Sequence, residues 1–258
     1  MKKIFQILTF INTKKVNNII KKEISIVIPA YNEENRIGKT LEIIINYCKK
    51  NFKDYEIIVV DDCSKDSTNN LVLSYKNKKI KLLKNLKNRG KGYCVKIGVL
   101  NAKFPLILFS DSDLATPIEE VKKMISYIEN GFDFVIASRN LKDSKIFVKQ
   151  PKYRQNIGKL FALFVNILTG IIFKDTQCGF KLFKKYPAKF CFKKTTIERF
   201  TFDVELLYIA KKHEFKIKEV PVTWIDKPGS KVKVLRDSYR MLKDLFKIRL
   251  NDWVLRKY

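Results

Sequence analysis

Carboxylates occur where three short apolar segments of the sequence end. Ligands of open parallel α/β sheets bind beyond the carboxyl ends of the strands, so these side chains are predicted to line one site. Two of them flank a single serine, and such a pair suits Mg²⁺ or Mn²⁺, which take oxygen ligands and share them with substrate phosphates. The three groups are Glu33, the pair Asp61-Asp62 and the triplet Asp111-Ser112-Asp113.

A second chemical feature is the basic, glycine-containing stretch NRGKG at residues 88–92. It lacks the G-x-x-x-x-G-K-[ST] spacing of a P-loop. At a helix N-terminus it would still offer backbone N–H groups and the ammonium of Lys91 to a phosphate. No G-x-S-x-G or HExxH motif is present, and the single histidine excludes sites that need two imidazoles. Hydrolase chemistry therefore has no support.

The segments between these motifs alternate between strand and helix patterns from residue 24 to residue 140. Their apolar runs are continuous rather than alternating, which indicates a mostly parallel sheet covered by helices on both faces. We predict a doubly wound α/β fold. The predicted strands are residues 24–28, 55–60, 80–83, 106–109 and 134–137, and the predicted helices are residues 33–49, 66–75, 91–101 and 117–130.

The remaining sequence shows neither a repeat nor a linker, so it is predicted to complete the same domain. We expect a polar loop at 142–152, strands at 179–183 and 217–222, and helices at 156–173, 202–213 and 234–250. The domain is thus expected to span residues 24–231. An N-terminal basic and apolar segment, 1–23, precedes it, and a C-terminal helical segment, 232–258, follows it.

The formal net charge of +27 raises the question of an anionic partner, either a nucleic acid or a membrane. Only nine of the 53 basic residues are arginine, the residue preferred for gripping phosphates and bases. A general lysine surplus explains the charge equally well. An apolar content of 46% excludes a disordered chain. Five cysteines without a C-x-x-C pair argue against a disulfide framework and a thiolate metal site.

The C-terminal segment has the pattern of a basic amphipathic helix. Such a helix either lies on a membrane surface or docks on the domain with its charged side in solvent. Its apolar face comprises Leu235, Tyr239, Leu242, Leu245 and Phe246, and its basic face Arg236, Arg240, Lys243, Lys247 and Arg249. The apolar stretches at 4–11 and 160–173 are shorter than the roughly 20 residues that span a bilayer.

Together these motifs resemble glycosyltransferase family 2, and within it the dolichyl-phosphate β-glucosyltransferases. The resemblance extends from about residue 24 to residue 250. The motifs common to the broad family are SIVIPAYNE at 25–33, VVDDCSKD at 59–66 and DSD at 111–113. The narrower ones are DTQCGFKLF at 175–183, IERFTFDVELL at 197–207 and PGSK at 228–231. Cys63 replaces the usual glycine of the second motif, which restricts positive φ there.

The resemblance implies a GT-A fold, an inverting mechanism, a nucleotide-sugar donor and Mg²⁺ or Mn²⁺. It also implies a role for each matching residue. Pro29, Tyr31, Glu33 and either Asp61 or Asp62 would hold the uridine, and Lys91 would lie near the donor phosphates. Asp111, Ser112 and Asp113 would bind the donor ribose and, through the two carboxylates, the metal. Arg139 and Arg154 would bind the acceptor phosphate, Asp175 would act as base or orient the acceptor, and Ser230 and Lys231 would approach the donor.

We therefore expect transfer of glucose from UDP-glucose to dolichyl or another polyprenyl phosphate, which yields a lipid-linked donor for N-glycosylation. The expected location is a cytosol-facing membrane surface, of the endoplasmic reticulum in a eukaryote and otherwise of the plasma membrane. A GDP-mannose-dependent mannosyltransferase, a basic nucleic-acid-binding protein and an inactive scaffold are the alternatives. Because a lipid phosphate is already ionised at neutral pH, Asp175→Asn is expected to be less damaging than Asp111→Asn or Arg139→Ala.

Overall fold

A seven-stranded, mostly parallel sheet forms the centre of the protein. The computed structural model describes residues 22–148, 152–227 and 234–258, except the side chains of 152–156, 159, 234 and 235. Within these residues the strand order is β3-β2-β1-β4-β7-β5-β8, and β6 and β9 form a separate two-stranded sheet. The strands are β1 (Glu23–Ala30), β2 (Asp54–Asp61), β3 (Ile80–Lys84), β4 (Leu106–Ser110), β5 (Phe134–Ser138), β6 (Lys145–Val148), β7 (Phe180–Lys184), β8 (Ile217–Pro221) and β9 (Thr223–Ile225).

Helices cover both faces of the sheet, which confirms the predicted α/β class. Side chains of β1 point alternately to the two faces, so that Val27 lies in one apolar core and Ile26 and Ile28 lie in the other. The helices are α1 (Ile37–Asn51), α2 (Thr68–Ser74), α3 (Lys91–Asn101), α4 (Val121–Glu129, after a 3₁₀ turn at Ile118–Glu120), α5 (Lys152–Thr169), α6 (Lys185–Lys194), α7 (Phe202–Lys212) and α8 (Val234–Trp253).

The first helix begins later than the predicted residue 33. Asn32 has a φ of 53°, and the carbonyl oxygen of Glu33 accepts the N–H groups of Arg36 and Ile37 in a turn. This turn holds residues 32–36 at the carboxyl end of β1. Residues 33–36, which were predicted to form the first helical turn, therefore lie at the edge of the candidate site.

Four features of the second half differ from the sequence-based prediction. The strand β6 lies within the predicted polar loop, because it pairs with β9 rather than with the main sheet. The bounds of α5 also differ from the predicted 156–173, since the helix starts at residue 152 and ends before Gly170. This glycine has a φ of 66°, which ends the helix. The strand β7 runs antiparallel to β4 and β5. Finally, α6 was not predicted, since lysines at 185, 189, 193 and 194 dilute its apolar stripe.

The C-terminal helix α8 docks on the domain. Leu245 and Ile248 are fully buried, and the carboxylate of Asp252 accepts the hydroxyl of Tyr208 on α7 at 2.6 Å. The helix also packs against α5. Among the described residues, no helix combines the length and the apolar character needed to cross a bilayer.

Candidate active site

A cleft of about 920 Å³ lies at the carboxyl ends of the central parallel strands. Nine of the residues selected from the sequence line it: Pro29, Tyr31, Glu33, Asp62, Lys91, Asp111, Ser112, Asp113 and Arg139. Asp61 and Asp175 are buried beside the cleft without lining it. The side chain of Arg154 and the whole of Ser230 and Lys231 lie outside the described residues.

The centre of the cleft is a cluster of carboxylates around one lysine. The ammonium of Lys91 lies 2.7 Å from Oδ1 of Asp111. Burial and the neighbouring charge of Asp111 raise the pKa of Asp113. Although burial alone would lower the pKa of Lys91, the charges of Asp111 and Asp203 raise it. The end of β4 is therefore a place where negative charge is concentrated.

Gly179 makes room for the Asp111 carboxylate. A Cβ atom at position 179 would stand 1.9 Å from Oδ2 of Asp111, which no side chain allows. The backbone N–H of Asp111 donates to the carbonyl oxygen of Gly179 at 2.9 Å. The glycine of the DTQCGFKLF motif thus explains how the antiparallel strand β7 can pass directly beside the acidic triplet.

The acidic pair at the end of β4 suits a divalent cation. Asp111 and Asp113 offer hard oxygen donors, and a bound cation would offset the burial and the neighbouring charge of Asp111 that together raise the pKa of Asp113. Within the described part of the chain, no three His, Cys, Asp or Glu side chains converge as a complete metal cage. A cation held by two carboxylates would keep coordination positions open for a diphosphate.

Asp62, at the end of β2, organises the NRGKG stretch. Its Oδ1 accepts the N–H of Arg89 at 2.8 Å and the side-chain amide of Asn85 at 2.8 Å, and its Oδ2 accepts the N–H of Gly90 at 2.7 Å. Both oxygens of the carboxylate are therefore committed to the loop that leads into α3. Lys91, the first residue of α3, is thereby aimed into the cleft.

The neighbouring Asp61 is differently placed. Its Oδ2 accepts the N–H of Ser64 at 3.0 Å and the amide of Asn69 at 3.1 Å. Its buried Oδ1 has no hydrogen-bond partner among the described residues. Cys63, between these groups, has a φ of 63°. The turn thus keeps the left-handed conformation of a glycine despite the cost of a side chain there.

Arg139 and Asp175 form a bidentate ion pair. The Nε of Arg139 donates to Oδ2 at 2.7 Å and its Nη2 to Oδ1 at 2.9 Å, while the backbone N–H of Arg139 donates to Oδ2 at 2.9 Å. The N–H of Gln177 donates to Oδ1 at 3.1 Å. Burial alone would raise the pKa of Asp175, but Arg139 lowers it. A carboxylate held by four donors is a poor proton acceptor, and it fixes the guanidinium at the cleft wall.

Several cleft residues were not selected as site residues from the sequence: Gln177, Arg199, Phe200, Asp203, Trp224 and, from the basic face of the C-terminal helix, Arg236 and Arg240. Asp203 forms a buried ion pair with Lys181, whose ammonium lies 2.6 Å from Oδ1. A lysine inside the apolar strand GFKLF was the available signal, since a fully buried lysine needs a partner. The lining contributed by α8 gave no comparable signal, because tertiary docking determines which part of a helix faces a cleft.

Comparisons with known proteins identify a family and several relatives that this chain resembles. Residues 25–192 match the model of the family described as Glycosyl transferase family 2. A dolichyl-phosphate β-glucosyltransferase of Dictyostelium discoideum is 40% identical over 252 residues, which cover 92% of this chain and 76% of that protein. The human enzyme of the same name is 34% identical over 244 residues, which cover 89% and 75%.

Solved structures show the same fold at low identity. A glucosyl-3-phosphoglycerate synthase of Mycobacterium tuberculosis, solved with Mn²⁺ and UDP-glucose, has a TM-score of 0.65 at 16% identity, covering 92% of this chain and 82% of its own. The predicted GT-A fold and the motif-based resemblance are both confirmed.

Proposed function

The chain belongs to glycosyl transferase family 2, and from this premise we propose that it transfers glucose from UDP-glucose to dolichyl phosphate with inversion at the anomeric carbon. The observation that carries the proposal is 40% identity to a dolichyl-phosphate β-glucosyltransferase across 92% of the chain. The mannosyl, nucleic-acid-binding and scaffold alternatives have no comparable support.

In the proposed donor site, Asp111 and Asp113 hold Mg²⁺ or Mn²⁺ while Lys91 faces the diphosphate. A bound cation would neutralise charge on the departing diphosphate. Pro29, Tyr31 and Glu33 contact the nucleoside. The Oδ1 of Asp61, which has no partner within the described part of the chain, is the acceptor available to it, since Asp62 is engaged by the 85–90 loop. The roles of Ser112, Ser230 and Lys231 near the donor follow from the resemblance.

The proposed reaction needs no strong base. A phosphate monoester has a second pKa near 6 and is largely dianionic at neutral pH, so its oxygen attacks the anomeric carbon directly. The bond from that carbon to the β-phosphate oxygen breaks, its electron pair leaves with UDP, and a β-glucosyl phosphate forms. Arg139 still has N–H groups beyond those engaged by Asp175. These groups, with Arg154, are proposed to orient the acceptor phosphate.

Radiolabelled sugar transfer to a short polyprenyl phosphate tests the donor and the metal together. We expect labelled lipid from UDP-glucose and none from GDP-mannose. EDTA should remove the activity and excess Mg²⁺ or Mn²⁺ should restore it. Product formed only from GDP-mannose would overturn the glucosyl assignment, and full activity in EDTA would overturn the role given to Asp111 and Asp113.

We further propose that the protein works at an anionic, cytosol-facing membrane surface through an apolar patch on α5 and α8. These two helices pack together and expose large apolar side chains on the outside of the domain. We call this patch the α5–α8 face; it comprises Leu160, Leu163, Ile167, Tyr239, Phe246, Leu250 and Trp253. Exposed Lys243 and Lys247 lie on the same helix, and each cation near an anionic surface contributes roughly 1 kcal/mol.

Vesicle flotation tests this attachment. The double variant I167S/F246S should bind anionic vesicles at least tenfold more weakly, because each buried apolar side chain contributes about 1.5–3 kcal/mol. The matched control is L73S/L86S, which changes two exposed leucines elsewhere on the protein and should bind like the wild type. Equal binding by I167S/F246S and the wild type would contradict the assignment of this face.

A further inference from the structure

The first two turns of α8 form one wall of the cleft. Arg236, Asp237, Arg240 and Met241 all line it. The two arginine side chains are about half exposed, at 53% and 47%, whereas the side chain of Asp237 is 6% exposed. Both guanidinium groups are thus open to a ligand in the cleft, while the carboxylate between them is covered.

Asp237 lies within ion-pair distance of both arginines. Its Oδ1 lies 3.4 Å from Nε of Arg236 and 4.0 Å from Nη1 of Arg240. One carboxylate oxygen therefore faces two cations, and among the described residues most N–H groups of the two guanidinium forks have no other partner and can meet an anion. Such forks bind phosphate oxygens in pairs, with charge-assisted hydrogen bonds.

The rest of α8 fixes the position of this arginine pair. Leu245 and Ile248 are fully buried, Nη1 of Arg249 donates to the hydroxyl of Tyr208 at 2.8 Å, and the amide of Asn251 donates to Thr196 at 2.9 Å. Tyr239, between the two arginines in sequence, is 61% exposed and belongs to the α5–α8 face. One docked helix thus connects the apolar patch with the cleft wall.

We propose that Arg236 and Arg240 bind the phosphate of the lipid acceptor where it enters the cleft, a proposal that rests on the function proposed above. A prenyl phosphate keeps its hydrocarbon chain in the bilayer and its phosphate at the surface, which matches apolar and cationic groups on neighbouring parts of α8. The donor diphosphate is the other anion in the cleft. It is served by Lys91 and the acidic pair at β4, whereas α8 lies outside the sheet that carries the donor site.

Steady-state kinetics in neutral detergent micelles separate the two substrates without a bilayer. R236Q and R240Q should each raise the KM for a short polyprenyl phosphate about tenfold, and the double variant at least thirtyfold, with the KM for UDP-glucose within twofold of the wild type. R240K should recover part of the loss, since it restores the charge. The control K39Q/K122Q removes two exposed lysines of α1 and α4 and should leave both KM values unchanged.

Each alternative outcome overturns a different statement. If the wild type transfers glucose but R236Q/R240Q keeps its acceptor KM, the arginine pair does not bind the acceptor and the proposed function stands. An increase confined to the KM for UDP-glucose assigns the pair to the donor instead. An equal increase in the acceptor KM of K39Q/K122Q would show that the effect comes from overall charge and not from the arginine pair. If the wild type binds UDP but transfers no glucose, the proposed function itself is contradicted.

Discussion

Replacing Asp111 by asparagine should lower kcat by about three orders of magnitude. The neutral amide keeps the shape of the carboxylate but loses its charge, both toward the cation and toward Lys91, whose ammonium lies 2.7 Å away. Loss of one group that stabilises charge in a transition state costs about 10² to 10³ in rate, and weakened cation binding adds to this loss. Transfer of radiolabelled glucose at saturating UDP-glucose measures the effect.

Gly179→Ala should displace the Asp111 carboxylate without changing its chemistry. We expect it to lower kcat almost as much as Asp111→Asn. The new methyl group would stand 1.9 Å from Oδ2 of Asp111, so the carboxylate must leave its position. Gly158→Ala is the matched control, because a Cβ there meets nothing within 4 Å. Turnover of Asp111→Asn within tenfold of the wild type would contradict the proposed metal site. An active Gly179→Ala would show that Asp111 works from another position.

The parts of the fold that local pattern determines were predictable. The strands β1, β2 and β4 are almost fully buried along their length, so their continuous apolar runs indicated a central parallel sheet, and the acidic groups at their ends were placed together correctly. The antiparallel direction of β7 was not predictable in this way, since a buried strand has the same apolar pattern in either direction. Its pairing with both β4 and β5 is decided by tertiary contacts.

The residues of the candidate site show the same distinction between features set by local pattern and features set by tertiary contacts. Residues at the ends of parallel strands, such as Asp111 and Asp113, could be selected because topology alone brings them together. From the sequence, the basic face with Arg236 and Arg240 was expected to meet either a membrane surface or solvent, yet both arginines line the cleft. Helical periodicity identifies which residues share a face. It does not identify what that face meets, and here the docking of Leu245 and Ile248 into the core decides this.

The geometry of Arg139 and Asp175 revises the expected ranking of variants. Asp175→Asn should reduce kcat/KM for the acceptor at least a hundredfold, comparably to Arg139→Gln, rather than have the mild effect expected for a dispensable base. The amide replaces two acceptor oxygens with one, so the bidentate contact to Arg139 is lost and the guanidinium no longer has a fixed orientation at the cleft wall. Initial rates at saturating donor and varied acceptor would show this as a fall in kcat/KM for the acceptor.

The Arg139–Asp175 pair should also contribute to the free energy of unfolding, which can be measured independently of activity. Removing one partner of a buried ion pair costs about 3–5 kcal/mol, whereas replacing both is far less costly. Asp175→Asn should therefore lower the free energy of unfolding in urea by about 3 kcal/mol. The double variant R139Q/D175N should recover much of that stability while remaining inactive. A double variant less stable than both single variants would show that the pair is not the source of the loss.

The pH dependence of unfolding follows from the pKa of Asp175. Against the effect of burial, Arg139 holds this pKa below its ordinary value in the folded protein, which for aspartate is about 3.9. The ionised carboxylate thus stabilises the fold above that pH, and this contribution is lost as the pH falls through the lower folded-state value. In urea titrations at pH 7 and below pH 4, the stability difference between wild type and Asp175→Asn should shrink on acidification. A constant difference would mean that the loss in Asp175→Asn comes from packing, and that the charge of Asp175 does not hold Arg139 in the cleft wall.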